Sequence, residues 1–200
     1  MLEIRSWDLE MVEISRKTKE TDIVLKLDIN GNGKSKIDTG VGFFNHMLES
    51  FSKHSQFDLF IKCKGDTYVD DHHTVEDVGI VLGEAIRKAI YPIKEVERFS
   101  NVTIVMDEAA VSCVMDLSNR AYLVYEIDCD GKVGTFDVEL TEEFFKALTF
   151  NAAISVHLIK ERGKNRHHII EAAFKAYAVA LRRALVSNNK AGVPSTKGVI

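Results

Sequence analysis

Two adjacent histidine pairs are the residues of this sequence with the clearest chemical potential, because a glutamate follows each pair at the same spacing. The two copies of this HHxxE pattern are His72, His73 and Glu76, and His167, His168 and Glu171. Neutral imidazole and carboxylate are the usual protein ligands of divalent Zn, Mn, Fe and Ni. A single histidine pair is most often a solvent-exposed helix start, but the repetition favours metal binding by both copies.

The spacing within each copy indicates two metal ions rather than one. Neighbouring side chains on a helix diverge by about 100°, whereas residues three or four apart lie on one face. The two histidines of a pair therefore face different ions. Aligning the two halves of the chain places His46 opposite Glu143, and we interpret both as further ligands. His157 is a reserve ligand only, since a lone strand histidine is more often a core residue or a partner of a ligand.

These candidate ligands lie on a chain that repeats one order of elements, namely hairpin, helix, strand and helix. In the first half, the strand TDIVLKLDI reaches a turn at residues 30–33, which predicts a hairpin with the strand that follows. The helix GFFNHMLESFSKH, the strand FDLFIK and a helix over residues 72–90 come next. The second half consists of strands VTIVM, VSCVMDL and AYLVYEID, helix TEEFFKALTF, strand AAISVHLIK and helix RHHIIEAAFKAYAVALRRAL.

The duplication predicts an α+β fold with two pseudo-symmetric halves, in each of which the helices pack on one face of a sheet. We assign residues 1–92 to the first half, 93–187 to the second half and 188–200 to a C-terminal tail. Only 2 prolines and 12 glycines in 200 residues leave most of the chain to regular elements.

The composition excludes several classes of partner. Among 200 residues, 46% are hydrophobic, and 30 acidic against 26 basic side chains leave a net charge of −4. This charge argues against binding to nucleic acid or anionic lipid and favours a small-molecule partner. The longest stretch without a charged side chain, residues 147–159, is too short to cross a bilayer, and the first residues lack a signal-peptide pattern. We therefore expect a cytoplasmic protein.

Four segments resemble, in this order, the imidazoleglycerol-phosphate dehydratase family: DTGVGFFNHML (38–48), DDHHTVED (70–77), GKNRHHIIEAAFKA (163–176) and PSTKG (194–198). The resemblance implies dehydration of imidazole glycerol phosphate to imidazole acetol phosphate in histidine biosynthesis, with two manganese ions in each active site. It also implies a homo-oligomeric shell of 24 chains with active sites between subunits. Two positions depart from the family pattern, namely Asn45, where many relatives have aspartate, and Glu143, where some have histidine.

The resemblance further implies roles for individual residues. Glu20 matches a substrate-contacting position and is our candidate base. Asp107-Glu108 and Asp70-Asp71 are weaker candidates, and the aspartates among them equally suit helix capping or histidine orientation. Arg98, Arg120 and the tail match phosphate-contacting positions, and we expect the tail to order over the substrate. The candidate substrate-binding residues are His46, His54, His72, Glu76, Arg98, Arg120, Ser195, Thr196 and Lys197. The candidate metal ligands are His46, His72, His73, Glu76, Glu143, His167, His168 and Glu171.

Two other functions are compatible with the same residues. A di-metal phosphohydrolase also uses histidine, glutamate and phosphate-binding arginine, although such sites usually depend on bridging carboxylates and a metal-bound water. In a non-catalytic alternative, the HHxxE copies hold a symmetric assembly together. A ketone product that keeps its phosphate identifies the lyase, whereas free inorganic phosphate identifies the hydrolase.

Overall fold

We describe the chain from a computed structural model, which covers residues 11–190, 192–198 and 200. Its elements repeat in two halves, as the sequence predicts. The first half comprises β1 (Val12–Lys17), β2 (Thr21–Asp28), β3 (Ser35–Asp38), α1 (Gly42–Ser55), β4 (Asp58–Gly65) and α2 (His72–Ile90). The second half comprises β5 (Phe99–Met106), β6 (Ala109–Asp116), β7 (Tyr122–Glu126), the short β8 (Lys132–Val133) and β9 (Phe136–Asp137), α3 (Leu140–Ala152), β10 (Ser155–Arg162) and α4 (Arg166–Ala184).

Each half contains a four-stranded sheet, in the orders β1-β2-β4-β3 and β5-β6-β10-β7. The last strand of each sheet runs parallel to its neighbour, and the other pairs are antiparallel. The hairpin that the sequence predicts at residues 30–33 is wrong, because β3 pairs with β4 and β2 forms its hairpin with β1.

The glycine-rich segment 30–33 crosses the start of β4 instead of closing a hairpin. A Cβ atom on Gly31 would lie 2.4 Å from the backbone nitrogen of Asp58, so glycine is required for this close approach. The Asp58 carboxylate also accepts hydrogen bonds from the backbone nitrogens of Asn32 and Lys34, at 2.8 Å each. These contacts lead the chain from β2 past β4 to β3. Turn propensity alone does not distinguish this path from a hairpin, because both contain the same turn-forming residues.

The helices lie against the inner faces of the two sheets and contact the other half of the chain. Helix α2 packs on β1 and β2 and along α3, and helix α4 packs on β5 and β6 and along α1. The alternating residues Ile23, Leu25 and Leu27 of β2 are each at most 1% exposed. This arrangement confirms the duplicated α+β fold. The linking segment runs between Ile90 and Phe99, and the assigned domain bounds stay a prediction.

Among the described helices, none combines the length and the apolar character that a bilayer-crossing segment needs.

Two glycines one helical turn apart, Gly79 and Gly83, let α2 approach α3 closely. A Cβ atom on Gly83 would lie 2.6 Å from the carbonyl oxygen of Leu148 and 3.0 Å from the backbone nitrogen of Ala152. Because both are backbone atoms, an added methyl group must push the helices apart. We expect Gly83→Ala to lower the free energy of unfolding by about 1–3 kcal/mol, measured by denaturant titration.

The matched control for this variant is Gly42→Ala in α1, because no atom lies within 4 Å of the methyl group that it adds. Alanine has the higher helix propensity, so the control should be at least as stable as the wild-type chain. A Gly83→Ala protein as stable as this control would contradict the close contact between α2 and α3.

Candidate metal centre and active site

Three donors from different halves of the chain meet where α1 packs on α4. The Glu171 Oε2 atom lies 3.1 Å from His167 Nε2 and 3.7 Å from His46 Nε2. One donor atom from each residue falls within 4.8 Å of the other two. Within the described part of the chain, this is the one group of three metal-ligand side chains that converge so closely. Both halves are therefore needed to assemble it.

The helix starts that present these donors are fixed by side-chain hydrogen bonds. The Asn165 side chain accepts a hydrogen bond from the backbone nitrogen of His167 at 3.0 Å, which caps α4. At the start of α1, the Asn45 carbonyl oxygen accepts from the backbone nitrogen and the hydroxyl of Thr39, at 2.9 and 2.6 Å. Asn45 thus anchors the turn before α1, one residue away from His46.

Glu171 is buried, with 8% of its surface exposed, and is paired with a cation. The Lys175 ammonium group donates to Glu171 Oε1 at 2.8 Å, one helical turn further along α4. Burial raises the pKa of Glu171, but the hydrogen bond and charge of Lys175, with those of the nearby histidines, bring the pKa below its usual value. Glu171 is therefore ionised, and its Oε2 atom faces the two imidazoles. The sequence interpretation missed Lys175, although its spacing of four from Glu171 was a signal for an ion pair.

The second histidine of the first pair is oriented by an aspartate that the sequence interpretation did not include. Both Asp66 carboxylate oxygens lie 3.1 Å from His73 Nδ1. The other ring nitrogen, His73 Nε2, lies 3.7 Å from Glu20 Oε1. The hydrogen bond to Asp66 raises the pKa of His73. Because an ionised carboxylate only accepts hydrogen bonds, Nδ1 carries the proton, and the lone pair of neutral His73 is on Nε2.

The second histidine of the second pair has the same arrangement with different residues. Glu108 Oε2 lies 2.7 Å from His168 Nδ1, and Asp107 Oδ2 lies 3.7 Å from His168 Nε2. The hydrogen bond from His168, followed by that from the Asn165 backbone, lowers the pKa of Glu108 to about 2, and the same contact raises the pKa of His168. Glu108 therefore holds the His168 ring, a role that the sequence interpretation had left open only for the neighbouring aspartates.

The remaining candidate ligands do not form a second group of three within the described residues. His72 Nε2 lies 3.7 Å from Glu76 Oε2 on the same face of α2. Glu143 lies near the start of α3 with its carboxylate 3.9 Å from the Lys146 ammonium group. Asp70 accepts a hydrogen bond from the backbone nitrogen of His72 at 2.9 Å in the turn before α2, whereas the N-cap residue Asp71 makes no capping hydrogen bond with its side chain. The role of Glu143 as a ligand stays a prediction.

The candidate phosphate-binding residues lie together at the end of the second sheet. Arg98 donates to both Asp116 carboxylate oxygens, at 2.7 and 3.1 Å, and to the backbone oxygen of Pro194 at 2.6 Å. The Arg120 side chain is 70% exposed and lies 4.0 Å from the same carboxylate. Ser195, Thr196 and Lys197 directly follow Pro194. Arg98 thus connects the C-terminal tail to the end of β6.

Two histidines lie outside these groups. His54 is in the last turn of α1, where its backbone oxygen accepts a hydrogen bond from Arg182 at 3.0 Å. Burial, followed by the charges of Lys175 and Arg182, lowers the pKa of His54. Its substrate-binding role stays a prediction. His157 is exposed on the face of β10 that points away from the helices, so the first of the two interpretations offered for it, a core residue, is wrong.

Comparisons with known proteins point to one family. The sequence model described as "Imidazoleglycerol-phosphate dehydratase" matches residues 39–181 of this chain. A protein of that name from Sulfurimonas denitrificans is 67% identical over 190 residues, covering 95% of this chain and 100% of its own length. One from Sulfurovum is 64% identical over the same coverage. The crystal structure of imidazoleglycerol-phosphate dehydratase from Staphylococcus aureus superimposes with a TM-score of 0.82 at 40% identity, covering 90% of this chain and 100% of that one.

Proposed function

Because the chain belongs to the imidazoleglycerol-phosphate dehydratase family, we propose that it is a manganese-dependent hydro-lyase of histidine biosynthesis. Its substrate is imidazole glycerol phosphate, and its product is imidazole acetol phosphate. The observation that carries the proposal is the convergence of His46, His167 and Glu171 within 4.8 Å of one another.

The donor set fits a divalent ion of the manganese class. Two imidazoles and one ionised carboxylate are ligands that such ions accept, and the described residues place no thiolate among them. Three protein donors are fewer than the roughly six ligands that manganese takes, so positions are left for a further side chain and for the substrate. A bound ion of this kind makes the N–H group of a coordinated imidazole more acidic and so weakens the bond to a leaving group on the attached carbon. His46, His167 and Glu171 would hold one ion, and His72, Glu76 and Glu143 are proposed for the second.

Glu20 is the residue proposed to move the proton from carbon. The reaction removes a proton from a substrate carbon that bears a hydroxyl group and has no carbonyl neighbour, so a positioned base is needed. The Glu20 carboxylate is half-exposed and lies 3.7 Å from His73 Nε2. Within the described residues it accepts no hydrogen bond. Glu20 therefore has a free carboxylate at the edge of the histidine-rich surface, and substrate can reach it.

Arg98 and the tail are proposed to bind the phosphate. Three N–H groups of Arg98 are used by Asp116 and Pro194, and a guanidinium group has five, so two can contact phosphate oxygens. The contact with the Pro194 oxygen supports this proposal, because Ser195 directly follows Pro194 in the chain. Arg120 is exposed and adds a second positive charge.

We expect truncation after Val193 to raise KM about tenfold or more and to change kcat less. Each lost hydrogen bond to a charged group costs about 1.5–3 kcal/mol of binding, and this loss is the same in the ground state and the transition state. Steady-state kinetics at saturating Mn²⁺ measures both constants. Lys190→Gln is the control, because Lys190 is exposed and lies before the removed residues 194–200. An unchanged KM in the truncated protein would show that the tail does not bind substrate.

Sites shared between chains are the proposed basis of a homo-oligomer. His73 and His168 each direct an Nε2 atom toward a carboxylate 3.7 Å away, and neither joins a three-donor group among the described residues. A neighbouring copy that supplies the missing donors satisfies both histidines. This agrees with the large symmetric shell that the family resemblance implies.

A product assay with the full-length protein, imidazole glycerol phosphate and Mn²⁺ tests the proposed reaction. Formation of a ketone that keeps its phosphate supports the dehydratase, whereas release of inorganic phosphate identifies a hydrolase. If the Mn²⁺-loaded protein forms neither product, it is not an enzyme of either class. Light scattering before and after chelation tests the shared sites separately, since an unchanged mass after metal removal shows that assembly does not depend on the ions.

A further inference from the structure

In the first hairpin of each half, the turn between the two strands ends in a glutamate. These two turn glutamates differ in what their carboxylates contact. Glu20 directly precedes β2, and Glu108 directly precedes β6. The Glu108 carboxylate bonds His168 Nδ1 and also accepts from the backbone nitrogen of Asn165, at 2.7 Å each. By contrast, the Glu20 carboxylate accepts no hydrogen bond from the residues that the structure describes. The glutamates at equivalent positions in the two halves therefore make different contacts.

The loop that precedes each HHxxE helix explains this difference. In the second half, only residues 163–165 separate β10 from α4, and Glu108 holds this short loop and the histidine together. In the first half, residues 66–71 separate β4 from α2. The longer loop brings Asp66 beside the hairpin turn, where its backbone nitrogen donates to the backbone oxygen of Glu20 at 3.0 Å. The Asp66 carboxylate then bonds His73 Nδ1 in place of a turn glutamate.

We propose that Asp66 and Glu108 are equivalent positioning residues. They hold the Nδ1–H groups of His73 and His168, so that each histidine offers its Nε2 lone pair to a metal ion. Because Asp66 does this in the first half, Glu20 is left free for proton transfer. This inference rests on the proposed function, because it assigns both histidines as ligands. Carboxylates that hold the second nitrogen of a ligating imidazole fix its tautomer and its orientation, and their loss typically lowers metal affinity about 10- to 100-fold.

The geometry predicts that amide substitutions act differently at the two positions. In Glu108→Gln, the side-chain oxygen keeps the hydrogen bond from the Asn165 backbone, which places the amide NH₂ group against His168 Nδ1. Since NH₂ only donates, it selects the tautomer with hydrogen on Nε2, which blocks coordination. In Asp66→Asn, the side chain is free to turn its oxygen toward His73 Nδ1, because within residues 11–190 and the described tail both Asp66 oxygens bond that atom alone. Asp66→Asn therefore keeps the tautomer, and Asp66→Ala loses it.

The experiment is a Mn²⁺ titration of metal-free full-length protein that resolves the number of ions per chain and the Kd of each. We expect two ions per wild-type chain. Glu108→Gln and Asp66→Ala should each raise one Kd about 10- to 100-fold and leave the other unchanged, with different ions affected in the two variants. The two Kd values of Asp66→Asn should be closer to those of the wild-type chain than the values of Asp66→Ala are. Glu20→Gln, the matched change at the other turn glutamate, and Glu13→Gln on the exposed part of β1 should change neither Kd.

The outcomes separate this inference from the proposed function. Wild-type protein that binds no Mn²⁺ contradicts the proposed metal dependence itself. Wild-type affinity for both ions in Glu108→Gln and Asp66→Ala overturns the positioning role. The positioning role is also overturned if every variant binds both ions equally more weakly, or if the melting temperature of the metal-free protein falls strongly. Either result indicates a general structural defect. Selective loss of one ion in Glu108→Gln, together with rescue in Asp66→Asn, supports it.

Discussion

His46→Ala is expected to lower Mn²⁺ affinity more than roughly 100-fold, since loss of a residue that only orients a ligand already costs about 10- to 100-fold. His46 is the one donor of its group that comes from the first half, and its Nε2 atom lies 3.7 Å from Glu171 Oε2. The activity at a fixed Mn²⁺ concentration should fall in the same proportion. The effect is large because His167 and Glu171 alone supply only two of the three protein donors of the proposed site.

The thermal stability of metal-loaded protein measures this loss without a catalytic assay. An ion present at 100 times its Kd stabilises the folded protein by about 2.7 kcal/mol, and a 100-fold weaker site at the same concentration adds only about 0.4 kcal/mol. Glu49→Gln is the control, because Glu49 is exposed on α1 three residues after His46. If His46→Ala and Glu49→Gln show the same stabilisation by Mn²⁺ as the wild-type chain, the proposed site is wrong.

Glu20→Gln should lower kcat roughly 100- to 10,000-fold, the range for loss of a positioned acid or base. The Kd for Mn²⁺ should stay unchanged. The amide keeps the size of the side chain but cannot accept the substrate proton. The Glu20 backbone keeps its contacts with Asp66 and with the Thr18 hydroxyl, so the turn itself is preserved. Steady-state kinetics and a Mn²⁺ titration on the same preparation measure the two quantities.

Asp22→Asn is the control for Glu20, since Asp22 lies two residues away and pairs with Lys17 on the exposed side of the hairpin. This variant should keep the wild-type kcat. A Glu20→Gln enzyme with wild-type kcat would assign the base to another group. A Glu20→Gln protein that no longer binds Mn²⁺ would instead identify Glu20 as a ligand.

The parts of the site that follow from local spacing were predictable from the sequence. The pattern HHxxE places His167 and Glu171 on one face of a helix whatever the fold, and the sequence interpretation added His46 of the preceding helix as a further candidate ligand. The helix over residues 72–90 was likewise predictable, because its apolar residues recur at helical spacing and one face packs on β1 and β2.

The parts that depend on loop paths were not predictable. Asp66 lies in no motif and has no counterpart in the repeat alignment, so only the folded loop shows that it reaches His73. The same holds for the segment 30–33, whose glycines match a hairpin turn but serve a close approach to Asp58. His157 shows a third limit, because alternation along β10 does not say which face of the strand is covered by helices.

The packing of α1 on α4 and of α2 on α3 relates the two halves as the subunits of a two-fold dimer are related. An ancestral polypeptide with a single HHxxE copy could have built the same core by pairing with itself. In that homodimer, every mutation of a turn glutamate or of a helix-start donor appears twice. In a single chain the two copies change independently, and equivalent positions differ here: Glu108 bonds His168, the Glu20 carboxylate accepts no hydrogen bond from the described residues, and His46 corresponds to Glu143.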